Sequence, residues 1–175
     1  MNLIALVIAV AFGLMLAETR VSRAHERRLL AKGAVGPARD LFPIVAVLYP
    51  AILVAIGLEG FWRASQPVAQ QPDGPAWFAS GLLLFVASKA LKYSAIRALG
   101  ERWTFRILVL PGVPLVTNGP YRFVAHPNFI AVIGELAGAA MMCGARISGS
   151  IGVCIYALVL WMRARVENRA LKEYA

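Results

Sequence analysis

The chain has 175 residues, 59% of them hydrophobic and only 15% charged, with a formal net charge of +9. A soluble domain carries about 25% charged residues, so this composition excludes an ordinary soluble enzyme and points to a membrane protein. The positive balance then belongs to cytoplasmic connections facing anionic lipid rather than to a nucleic-acid surface.

A helix needs about 20 residues to cross hydrocarbon, and five apolar runs approach that length. The first, Asn2 to Ala17, has no basic n-region and no small-x-small cleavage pattern, and reads as a retained helix rather than a signal peptide. The next segment carries Arg20, Arg23, Arg27, Arg28, Lys32 and Arg39 against Glu26 and stops at Gly33 and Gly36-Pro37. That pattern predicts an interfacial helix and a turn. A second span runs from Leu41 to Leu58 with Pro43 and Pro50 inside it, and Glu59 to Pro75 forms a polar connection. The third span, Ala76 to Ile96, carries Lys89 and Lys92 toward its end, where they are expected to snorkel to the interface.

A long loop, Arg97 to His126, follows; its prolines and β-branched residues argue against a continuous helix. Asn128 to Gly144 is a short fourth span, Ala145-Arg146 a tight turn, and Ile147 to Met162 a fifth span with a charged amphipathic tail. So short a turn permits only an antiparallel helical hairpin. The expected fold is all-α: a polytopic membrane protein of about five transmembrane helices, ending in that hairpin. It is expected to be one domain over 1–175, with N-terminal helices in 1–97 and a catalytic half in 98–175. Loops after spans one and three and the tail are rich in Lys and Arg, which places the N-terminus outside and the C-terminus in the cytoplasm.

Three polar features stand out in the second half. Asn118-Gly119-Pro120-Tyr121-Arg122-Phe123-Val124-Ala125-His126-Pro127-Asn128-Phe129 brings an imidazole to the start of a helix, whose unpaired N–H groups favour anions. Glu135 is a carboxylate inside a span, a costly placement that marks a functional candidate or a structural partner of another helix. Arg163 and Glu167 share one helix face at i, i+4. Because the hairpin is antiparallel, His126, Arg163 and Glu167 are expected at one membrane face, in a cytosolic pocket walled by Tyr121, Phe123, Phe129 and Trp161. Such a pocket suits a charged cofactor from water and a lipophilic partner from the bilayer. Cys143 and Cys154 lie in apolar runs without metal-ligand spacing and read as small buried hydrophobes, and no metal or Ser-His-Asp constellation is evident.

The motif from Gly119 to Phe129, then Glu135, then Arg163-x-x-x-Glu167 together resemble the isoprenylcysteine carboxyl methyltransferase family of integral membrane enzymes. The resemblance covers roughly the last 80 residues of the chain. It implies a transfer of methyl from S-adenosylmethionine to a lipophilic acceptor. It implies that Leu115, Val116, Gly119, Tyr121, His126, Pro127, Asn128, Phe129 and Glu167 bind the cofactor. Arg163 and Glu167 would be catalytic, with Glu135 a further candidate. Two positions depart from the family pattern, which has Arg where Ala125 stands and a second Glu where Asn168 stands. The stretch from Leu99 to Gly112 resembles a bacterial branch associated with type III polyketide synthases, which implies an alkylpyrone or alkylresorcinol hydroxyl as acceptor in place of a prenylcysteine carboxylate. That branch would place the chain in a bacterial inner membrane. Two other readings compete: an NADPH-dependent membrane sterol or enone reductase, and a non-enzymatic membrane scaffold.

Overall fold

The structure, a computed structural model, describes residues 3–66 and 74–174. Its five α-helices are α1 (Leu3–Ala31), α2 (Phe42–Ala64), α3 (Pro75–Leu99), α4 (Pro127–Cys143) and α5 (Arg146–Tyr174). Two 3₁₀ turns, Gly100–Arg102 and Gly119–Arg122, and an isolated antiparallel bridge between Val35 and Val109 lie between them. Helices α1, α2 and α5 are long and apolar enough to cross a membrane, and α4 is apolar but shorter.

Local chemistry explains the helix ends. Pro43, expected inside the second span, sits in the first turn of α2, where its missing N–H would have had no helical partner anyway. Asp40 Oδ1 accepts from Phe42 N at 2.9 Å and so caps that turn. Pro75 and Pro127 open α3 and α4 for the same reason. Helix α4 stops at Gly144, which takes a left-handed φ of 65°, and Ala145 N then donates back to Ala140 O at 2.9 Å. The start of α5 is capped from another helix: the Glu59 carboxylate of α2 accepts from Ile147 N at 3.0 Å and Ser148 N at 2.6 Å.

Packing in lipid depends on close approach more than on hydrophobic transfer, and small residues permit it. Helices α3 and α4 meet backbone to backbone: a Cβ on Gly138 would lie 2.7 Å from Gly81 O and 2.8 Å from Phe85 N. Around that contact Tyr49, Leu53, Ile56, Phe85, Leu136 and Leu160 form one buried cluster that joins α2, α3, α4 and α5.

Several expectations are corrected. The basic segment after Ala17 is no separate interfacial helix. It continues α1 to Ala31, because nothing between Ala17 and Ala31 breaks the helix. The charged tail likewise continues α5 to Tyr174. Helix α3 runs on to Leu99, past the expected end at Ile96. Lys89 and Lys92 do not snorkel; they are 7% and 3% exposed, held inward by Glu18 of α1 and Glu135 of α4. Cys143 is buried as expected, whereas Cys154 is exposed on the outer face of α5. Asn2 and residues 67–73 of the expected Glu59–Pro75 connection lie outside the described residues; Glu59 to Ala64 form the last turns of α2.

Candidate functional site

A cavity of about 640 Å³ lies among the five helices and the loop from Arg102 to Tyr121. At one end α4 begins. His126 adopts φ −128°, ψ 63°, a non-helical conformation imposed by the proline that follows, and its ring stacks on Phe129 at 4.9 Å between centroids and 6° between planes. Across the gap, His126 Nδ1 stands 3.9 Å from Glu167 Oε1, and Nε2 lies 3.0 Å from Asn168 Oδ1. With the Nε2 proton donated to Asn168, Nδ1 keeps its lone pair for a ligand or takes a second proton. Asn168 therefore holds the imidazole through a neutral amide, where a second glutamate would add another negative charge.

Arg163 is one turn below Glu167 and 5% exposed. Its Nη1 donates to Asp40 Oδ1 at 3.4 Å and its Nη2 donates to Phe105 O. Asp40 also accepts from Ile107 N through Oδ2 at 2.9 Å. Arg163 and Asp40 thus fasten the loop that walls the cavity to α5 and to the start of α2. The same loop is tied to α1 by Ser22 Oγ accepting from Phe105 N at 2.7 Å, and by Arg106 donating to Glu26 at 2.9 Å.

The cavity gathers most of the expected residues. Leu115, Val116, Tyr121, His126, Asn128, Phe129, Arg163 and Glu167 all line it. Gly119 and Pro127 shape the backbone instead: Gly119 takes a φ of 57° that only glycine adopts without strain, and Pro127 starts α4. Glu135 does not line the cavity and is fully buried behind it, facing Lys89 and Lys92. Two expected wall residues lie outside. Phe123 is 81% exposed beside Arg122, and Trp161 is 52% exposed with the Arg165 guanidinium 3.6 Å above its ring. Trp161 is two residues from Arg163, which puts it on the opposite side of the helix. Burial, and the negative charge of Glu167 second, push the Tyr121 phenol well above its usual ionisation range.

Other lining residues come from the first half of the chain: Glu18 of α1, Tyr49 of α2 and Lys92 of α3. The same rule that singles out Glu135, that an ionisable group in an apolar helix needs a partner, also applies to Glu18, Lys89 and Lys92. Asp40 was legible as an acid three residues before Pro43, at a helix start. Two buried polar atoms on cavity-lining residues lack a partner, Asn128 Oδ1 and Trp103 Nε1. Orphaned groups of this kind are costly unless a ligand or water completes them.

Comparison with known proteins places this geometry in context. The family model described as "Isoprenylcysteine carboxyl methyltransferase (ICMT) family" matches residues 81–173, more than half of the chain. The chain is 28% identical over 170 residues to the uncharacterized protein YpbQ of Bacillus subtilis, covering 97% of each. It is also 28% identical over 152 residues to an uncharacterized protein of Haemophilus influenzae, covering 86% of this chain and 84% of that one. No solved structure matches it.

Proposed function

This chain belongs to the isoprenylcysteine carboxyl methyltransferase family, and from that premise we propose that it methylates a lipophilic acceptor with S-adenosylmethionine. The observation that carries the reading is the His126–Glu167 pair at a helix start, opening into a long and mostly apolar cavity. The residues fit the cofactor's chemistry. Glu167 suits a ribose diol or an ammonium, Asn128 Oδ1 is an acceptor in want of an N–H donor, and Phe129 and Tyr121 offer flat apolar surface. When bound, S-adenosylmethionine supplies an electrophilic sulfonium methyl group.

The chain's own residues would bind and orient. Leu115, Val116, Tyr121, His126, Asn128, Phe129 and Glu167 form the cofactor end, with Gly119 and Pro127 setting the backbone beneath them. Arg163, held by Asp40 and the Phe105 carbonyl, fixes the loop wall and orients the carboxylate of the cofactor. Methyl transfer is an in-line displacement, so holding nucleophile and methyl in line accounts for much of the rate. The acceptor is a lipid-soluble molecule bearing a carboxylate, as on a prenylcysteine, or a hydroxyl, as on an alkylpyrone or alkylresorcinol. The membrane orientation that fits is a C-terminus and cofactor end in the cytoplasm.

The test is equilibrium binding of S-adenosylmethionine to the detergent-purified protein, with NADPH in parallel and Glu167→Ala as control. Saturable binding that the substitution weakens at least tenfold is expected. Binding of NADPH alone would move the chain to the reductases, and binding of neither by folded protein would end the enzymatic reading.

A further inference from the structure

Far from His126, the cavity reaches a second polar site that the cofactor reading leaves unused. Tyr156 lies eleven residues before Glu167 on α5, about 16 Å along the helix. Its ring meets Tyr49 edge-on at 5.7 Å, and both residues line the cavity. Tyr49 donates through its hydroxyl to Glu135 Oε2 at 3.2 Å. Behind it Glu18, Lys89, Lys92 and Glu135 form a closed ring of charges. Glu18 accepts from Lys89 and from Lys92, each at 2.7 Å, while Glu135 stands 3.0 Å from Lys89 and 3.2 Å from Lys92. Tyr93 of α3 and Arg163 of α5 are the other ionisable neighbours of this end of the cavity.

The ring holds two positive and two negative charges and is neutral as it stands. An acceptor carboxylate arriving here would add a buried charge that the balanced ring does not compensate, Arg163 being already paired with Asp40. A neutral hydroxyl adds none. It also finds complementary groups: the Tyr49 oxygen, whose own proton is turned to Glu135, accepts a hydrogen bond, and Lys92 donates one. We propose that this inner end is the acceptor subsite, that it receives a phenolic or enolic hydroxyl, and that Tyr49 relays the hydroxyl proton to Glu135. This rests on the methyl-transfer reading above and narrows its acceptor to the hydroxyl class.

The step balances without a further reactant. The acceptor O–H bond breaks as a new O–H bond forms on Tyr49, and the original Tyr49 proton passes to Glu135 Oε2. Tyr49 is unchanged, the electron pair stays on the acceptor oxygen, and the site keeps zero net charge. Of the two carboxylates Glu135 is the one that the Tyr49 hydroxyl reaches, at 3.2 Å. Glu135 thus acts through Tyr49 rather than by touching the acceptor.

The test uses the whole protein in detergent without methyl donor and a long-chain alkyl nitrophenol, whose phenolate is coloured. Binding is followed by tryptophan quenching, at a pH about one unit below the free probe's pKa, where about a tenth of it is ionised. Saturating protein is expected to raise the ionised fraction above about one half, with no proton released to a buffer dye. Tyr49→Phe, which leaves the ion ring whole, should bind the probe but leave it protonated, and Glu135→Gln should do the same where it folds. Failure of the wild-type protein to bind the probe, or to colour it, overturns the proposal. So does an unchanged phenolate band in Tyr49→Phe, or displacement of the probe by an S-prenylated N-acetylcysteine that binds more tightly. Because no methyl donor is present, the result is independent of S-adenosylmethionine binding, whose loss would sink the parent reading alone.

Discussion

His126 and Asn168 meet at 3.0 Å, imidazole Nε2 to carboxamide Oδ1, although one residue opens α4 and the other lies in the last turns of α5. The contact fixes the plane of a ring that stacks on Phe129 and turns its other nitrogen toward Glu167. Asn168→Ala frees that ring and is expected to weaken S-adenosylmethionine binding about threefold to tenfold, the worth of one hydrogen bond. His126→Ala also removes the stack and should weaken it further. Titration calorimetry of both variants checks the order; equal affinities for wild type and Asn168→Ala would show that the ring needs no holder.

Arg163 joins Asp40 and the Phe105 carbonyl, and so makes one helix responsible for the shape of the cavity wall. Lysine cannot reach two partners with one planar fork. Arg163→Lys is therefore expected to lower both the melting temperature and the affinity for S-adenosylmethionine, and Asp40→Asn to mimic it in part. Removing one member of such a buried pair costs about 3–5 kcal/mol. Hydrogen exchange along residues 103–109 should rise in both variants. A wall that stays protected in Arg163→Lys would deny Arg163 this role.

The buried ring makes a sharp distinction between single and paired substitutions. Glu18→Gln leaves two lysines facing one carboxylate and should destabilise by about 3–5 kcal/mol, whereas a snorkelling pair of lysines would scarcely notice it. Adding Lys89→Met to Glu18→Gln restores charge balance and should recover part of the loss. Thermal unfolding in detergent across this double-mutant cycle measures the coupling. Additive effects would mean that the four charges act separately.

Alkaline stability follows from Tyr121. Its phenol ionises near pH 10 in an unfolded chain, about the reference value, and only at higher pH in the folded one. Below pH 10 both states keep the proton, so the group contributes no slope. Above about pH 10 the unfolded chain has released a proton that the folded chain retains, and stability falls as pH rises. Tyr121→Phe should flatten the decline between about pH 10 and 11, read as the difference between the two unfolding curves. Identical curves would place the phenol in water.

Much of the fold was legible in the sequence because prolines, glycines and apolar runs are local signals. Pro75, Pro127 and Gly144 mark helix ends within a residue or two of the expectation. The hairpin turn at Ala145 was readable for the same reason. What escaped is non-local. A lysine near the end of an apolar run looks free to reach water until another helix presents a carboxylate, and Glu18 lies 71 residues from Lys89. Trp161 looked like a pocket wall because aromatic rings suit pockets, yet its helical phase relative to Arg163 turns it outward. For the candidate site, the spacing of Arg163 and Glu167 put both on one face of α5, the face that lines the cavity. The partners of Asp40, Tyr49 and Lys92 required knowing which helices touch.

The 71-residue gap between Glu18 and Lys89 also bears on how the chain is made. Helix α1 leaves the ribosome before α3, with Glu18 at the edge of its apolar part and its two lysine partners not yet synthesised. At about 5–20 residues per second, the lysines of α3 follow several seconds later, and Glu135 of α4 a few seconds after that. Over that interval Glu18 is without the two lysines that hold it in the finished fold. Its final seating is a late event of biogenesis, completed when the third and fourth helices arrive.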